Sequence, residues 1–130
     1  MDRTYENDLV KLSIKEGILY GTYKVKNVDL AVASEITRLR NDFTAGGKYP
    51  VLVDYTMVNK TTKEARGFFT DQDASQDLTA MAILINSPVG RMLSSFFIVI
   101  YQTTYPVKIF TDKGKAVTWL KEYLKKNQKA

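Results

Sequence analysis

Residues 49–56 read YPVLVDYT, and their centre, Val51-Leu52-Val53, is apolar without alternation. So short an apolar run, ended by Asp54 and rich in β-branched residues, reads as a strand buried on both faces. Strands of that kind belong to parallel sheets, and parallel neighbours are joined by helical crossovers. The flanking sequence supplies them. Upstream, NVDLAVASEITRLRNDFTAGG (residues 27–47) places Val28, Val32, Ile36, Leu39 and Phe43 at helical spacing, with Asn27 as the expected cap and Gly46-Gly47 as the stop. Downstream, TTKEARGFF (residues 61–69) offers Thr61 with Glu64 three residues on, a capping box, and sets Ala65, Phe68 and Phe69 on one side of a short helix.

Further out, Val10, Leu12 and Ile14 alternate, as do Ile18, Tyr20 and Thr22, around Lys15-Glu16-Gly17, which predicts a β-hairpin. DQDASQDLT (residues 71–79) reads as a polar, solvated connection with one further helical turn, and AMAILIN (residues 80–86) as a second buried strand. SPVGRMLSSFFIVIYQ (residues 87–102) reads as the next helix and VKIF (residues 107–110) as a last short strand. Asp112 then caps a final helix carrying Ala116, Val117, Leu120, Tyr123 and Leu124. The expected architecture is α/β in the order β-β-α-β-α-β-α-β-α, a single domain over residues 1–130. Its sheet is mostly parallel and four- to five-stranded, with the first strand antiparallel near an edge.

A chain of 130 residues is long enough to bury a core without cross-links. It contains neither cysteine nor histidine, which removes disulfides, thiolate metal sites and the commonest general base, and with them most zinc, haem and triad chemistry. No cofactor is implied. No apolar run approaches the ~20 residues of a membrane span, and the N-terminus has no apolar leader, so a cytoplasmic location is expected. The net charge of +5 is local: seven lysines from Lys108 onward face only Asp112 and Glu122, and the remaining chain is balanced. Such a tail is foremost a solubilising helix face, and no specific nucleic-acid partner is expected.

Several patterns resemble chemical motifs. Asp71, Asp73, Ser75 and Asp77 imitate the start of a calcium loop, but Gln76 and Ala82 stand where the turn glycine and bidentate glutamate belong. Ala45-Gly46-Gly47-Lys48 follows a helix and precedes a strand, the reverse of a phosphate loop. Asp54 ends a buried strand, where open parallel sheets bind ligands, and is the best-placed acid; accepting N–H bonds from its own loop is the simpler role. Ser87 is a good N-cap, Pro88 suits the first helical position, and Gly90 and Arg91 complete a first turn able to meet an anion. Beyond them Met92, Phe96, Phe97, Ile100 and Tyr101 make the helix apolar around most of its circumference, more than a surface helix needs. In order of expectation, the excess is covered by the chain's own sheet and helices, by a second copy, or by an apolar ligand.

The order of elements, with VLVDYT, SPVGR at residues 87–91 and P-x-K-I-F-T-D-x-x-x-A-x-x-W-L over residues 106–120, resembles the STAS-like fold of anti-sigma-factor antagonists. It resembles more closely the small bacterial SpoIIAA-like proteins of unknown function. The resemblance spans nearly the whole chain, and neither motif is a catalytic signature. It implies binding to a regulatory protein, a partner kinase or anti-sigma factor in the classical members, switched by phosphorylation of a serine in a D-S-S/T-G motif after the third strand. That position here is Val58-Asn59-Lys60-Thr61-Thr62, without the motif, leaving Thr61 or Thr62 as the switch position. Relatives resembling lipid-transfer domains imply an apolar ligand. The leading expectation is a non-enzymatic protein-binding module, homodimeric, with Met92, Phe96, Phe97, Ile100 and Tyr101 as its contact surface. A small lipid carrier is the alternative, and an enzyme acting on an anion through Asp54, Tyr55 and Arg91 ranks last.

Overall fold

The computed structural model describes residues 3–71, 74–86 and 103–129. Among the described residues the chain forms a mixed α/β fold of six main strands and three helices. Its first three strands, β1 (Arg3–Glu6), β2 (Val10–Lys15) and β3 (Ile18–Tyr23), pair antiparallel. The β2–β3 hairpin turns on Glu16 and Gly17, with φ of 53° and 82°. Both central residues at positive φ match the right-handed twist of the flanking strands, which is why Gly17 belongs there. The remaining main strands, β5 (Tyr49–Asp54), β7 (Leu78–Leu84) and β8 (Val107–Phe110), are added in parallel, giving the order β1-β2-β3-β5-β7-β8. Six strands exceed the four to five expected. The addition is β1, whose four residues are all exposed and show no alternation to mark them as a strand. Asn7 makes it possible: its Oδ1 accepts from the N–H groups of Leu9 and Val10 and turns the chain into β2.

Between β3 and β5 lie a two-residue strand β4 (Asn27–Val28) and helix α1 (Leu30–Thr44); after β5 come β6 (Lys60–Thr61) and α2 (Lys63–Thr70). The strands β4 and β6 pair in parallel, apart from the main sheet. This pairing corrects two expected caps. Asn27 and Val28 are drawn into β4, so α1 is capped by Asp29, whose Oδ1 accepts from Val32 N at 2.9 Å. Thr61 is likewise held in β6, and Thr62 caps α2 by accepting from Ala65 N at 3.2 Å. The stop of α1 also falls earlier: Ala45 adopts the left-handed conformation, φ 48° and ψ 45°, with Gly46 following it. Helix α3 (Lys113–Lys129) begins as expected, with Asp112 Oδ1 accepting from Lys115 N.

The sheet separates two cores. On one face Val10, Leu12, Ile14, Leu19, Val51, Val53, Met81 and Ile83 pack with Ala33 and Ile36 of α1 and Ala65 of α2. On the other, Ile18, Leu52, Ala80, Ala82 and Leu84 meet Ala116 and Leu120 of α3. Ala80 and Ala82 leave room for α3 to approach the sheet, and each fully buried Leu or Ile contributes about 1.5–3 kcal/mol relative to exposure. Leu124 of α3 lies against Gly17, where an added Cβ would stand 3.0 Å from Leu124 Cδ1. Pro50 has no N–H to donate, and the β5–β7 register slips beside it, leaving Thr79 opposite no residue of β5.

At the amino end of the sheet lies a buried polar cluster. Arg40 of α1 donates to both carboxylate oxygens of Asp77, at 3.0 and 3.3 Å, and to the carbonyl of Ala74. Thr44 Oγ1 lies 3.2 Å from the same carboxylate. Asp77 is 6 % and Arg40 13 % exposed. The segment read as a solvated connection is therefore fastened into the core at Ser75 and Asp77, since a strand start lying under the end of α1 must bury its leading turn. Asp71 accepts from Ala74 N at 3.3 Å, the first bond of that turn.

Candidate functional site

The opposite, carboxyl end of the sheet gathers the candidate residues that fall among those described. Asp54 ends β5 and accepts from Thr56 N at 3.0 Å and Thr56 Oγ1 at 2.6 Å. Its carboxylate thus closes the turn that follows the strand. Tyr55 is buried, and its hydroxyl shares a 2.7 Å hydrogen bond with Thr61 Oγ1. Burial, and then the neighbouring Tyr23 phenol, push Tyr55 far above the ordinary tyrosine range. The Tyr23 ring sits 5.0 Å from that of Tyr55, and burial pushes its phenol up to about 12. Both phenols are therefore neutral at physiological pH, and neither is poised as a base.

Thr61 and Thr62, the adjoining switch-loop positions, have different tasks. Thr61 bonds Tyr55 and offers its carbonyl to Arg66 Nη1 at 3.3 Å, whereas Thr62 caps α2. The loop is further secured by Asn59 N and Lys60 N, both donating to Lys26 O, and by Thr62 N donating to Val28 O. Asn86, two residues past β7, donates from Nδ2 to Thr56 O at 2.6 Å. The rim is thus one connected surface of the β5–β6 loop, β4, the starts of α1 and α2, and the exit of β7. Large apolar side chains stand exposed on this rim at Leu30, 48 % exposed, and Met57, 50 % exposed.

The rest of the expected site, the anion positions Ser87, Gly90 and Arg91 and the contact positions Met92, Phe96, Phe97, Ile100 and Tyr101, lies outside the described residues. Among the described residues no group of three carboxylates converges on a metal position, and no helix is long and apolar enough to cross a membrane. What the sequence reading missed is the division of labour in the loop. The only prior signal was the doubled threonine, which could not say which hydroxyl caps and which bonds the tyrosine.

With helices on both faces of a mixed sheet, the chain has the SpoIIAA-like class of fold. A crystal structure of an uncharacterized DUF3478 family protein with a SpoIIAA-like fold, from Shewanella loihica PV-4, superimposes with a TM-score of 0.66 over 91 % of this chain and 98 % of that one, at 16 % identity. The family described as domain of unknown function DUF7793 matches residues 12–124, and the chain belongs to it. A protein of unknown function from Arthrobacter sp. FB24 is 30 % identical over 84 % of this chain and 96 % of that one, with a TM-score of 0.34. No curated protein matches the chain.

Proposed function

We propose that this protein is a non-enzymatic protein-binding or regulatory module, homodimeric, that engages a regulatory partner through the carboxyl rim of its sheet. The observation that carries this reading is the pair of exposed apolar side chains, Leu30 and Met57, on a rim otherwise fixed by hydrogen bonds. Solvated apolar groups on a preorganised surface favour association, because contact releases their hydration without a large ordering cost. Asp54, Thr61 and Thr62 each serve the shape of the loop, which suits a recognition surface better than a reaction centre.

Sedimentation equilibrium from low to high micromolar concentration tests the dimer. A monomer at every concentration removes it, and Leu30→Ser with Met57→Ser should weaken self-association if the rim takes part. Native mass spectrometry of protein purified from cells tests the competing lipid carrier, for which a bound lipid-sized mass would be decisive.

A further inference from the structure

The rim is not only apolar at Leu30 and Met57; it is also unevenly charged. Because β4 and β6 pair in parallel, with Asn27 opposite Lys60 and Val28 opposite Thr61, the chain segments that open α1 and α2 are brought side by side. Lys26, Lys60 and Lys63 are exposed on these segments, and the half-buried Arg66 completes the group. Against four cations stand three carboxylates: Asp29, which caps α1, Glu64 in the first turn of α2, and Asp54, which is engaged by Thr56 of its own turn. None of the three lysines forms an ion pair among the described residues, whereas Lys24, just past β3, is paired with Glu6 at 2.7 Å. The positive dipole ends of α1 and α2, capped by Asp29 and Thr62, lie on the same side of the sheet.

Resting on the reading of the rim as a binding surface, we propose that its occupant is an acidic protein segment carrying large apolar side chains. Its carboxylates would meet Lys26, Lys60 and Lys63, and its apolar groups would cover Leu30 and Met57. Charge complementarity decides this choice. A surface of surplus lysines repels an identical surface, so it disfavours two rims meeting face to face, and isolated lysines around apolar anchors favour an acidic, amphipathic partner.

The test pans the full chain against a random dodecapeptide library displayed on phage, then measures a synthesised winner by fluorescence anisotropy. Enriched peptides should carry an excess of Asp and Glu together with large apolar residues. Lys26→Glu/Lys60→Glu/Lys63→Glu should weaken binding about tenfold or more, as expected for reversing three contacts each worth a few-fold. It should also flatten the loss of affinity between about 50 and 300 mM salt. Leu30→Ser/Met57→Ser should weaken binding while keeping the salt dependence, and Lys121→Glu/Lys125→Glu on α3 should change nothing. Thermal melting confirms that these surface variants remain folded. Winners without acidic excess, or an α3 variant as damaging as the rim variant, overturn the inference and leave the binding-module reading standing. Self-association of the wild type that the lysine reversals abolish also overturns it, naming a second copy as the occupant. Failure to enrich any peptide counts against both readings.

Discussion

Replacing Asp77 by alanine should destabilise the fold by about 3 kcal/mol, the lower part of the range for breaking a buried ion pair. The magnitude follows from what remains. Arg40 is only 13 % exposed, and it would lose both bonds to the carboxylate and keep one to the Ala74 carbonyl, while Thr44 would lose its longer-range partner. The guanidinium retains some contact with water, which places the cost below the upper limit of about 5 kcal/mol. Urea denaturation should show a lower midpoint at unchanged slope, and the melting temperature should fall by about 10 °C. Arg40→Met should cost a similar amount by stranding the carboxylate. Arg40→Met combined with Asp77→Leu should recover at least about 2 kcal/mol of the summed loss, because apolar replacement of both partners removes the uncompensated charge. Single variants that each cost under about 1 kcal/mol, and add without coupling, would refute the view that this pair fastens α1 to the start of β7.

Tyr23 makes stability sensitive to alkali. Below the unfolded value near 10 both states are protonated and the full stability is present; as pH rises from about 10 to about 12 the unfolded chain ionises first, so stability falls. The slope from this residue is at most about 1.4 kcal/mol per pH unit, and Tyr23→Phe should remove that share from denaturation curves measured across the window. Ala45→Gly should stabilise by about 0.5–1 kcal/mol, since glycine tolerates the left-handed geometry that alanine adopts there, whereas Gly17→Ala should cost at least about 1 kcal/mol through its φ of 82° and its approach to Leu124. Differential scanning calorimetry of the two variants reads both signs. Thr62→Ala should cost about 1 kcal/mol by uncapping α2, and Thr61→Val should leave α2 helicity intact while exposing Tyr55 to quenching by acrylamide.

What was legible in the sequence followed from periodicity. Val51-Leu52-Val53 and the apolar run from Ala80 to Ile85 announced strands covered on both sides, and both lie buried between α1 and α3. The caps were less legible because a cap is a competition. Asn27 and Thr61 are good capping residues by type, yet each lost the role to the residue one or two places on when β4 and β6 paired. That pairing joins residues more than thirty positions apart and leaves no periodic trace in two-residue strands. The Arg40–Asp77 contact is hidden for the same reason: Asp77 sits in a run rich in Asp, Ser and Gln, and only the topology that brings the end of α1 over the start of β7 turns a surface-like carboxylate into a core one.

The two hidden contacts have complementary effects on function. The ion pair at the amino end fixes α1 against the sheet, and the β4·β6 pairing at the carboxyl end fixes where α1 and α2 begin. A helix held at both ends cannot slide to hide an exposed residue in its first turn. Leu30 is the first residue of α1, so its exposure is imposed by the frame rather than by local preference, and Met57 is held out by the turn that Asp54 and Asn86 close on either side. Residues kept in solvent by rigid surroundings pay little further ordering on association, which is the physical reason to look for the partner of this protein at that rim.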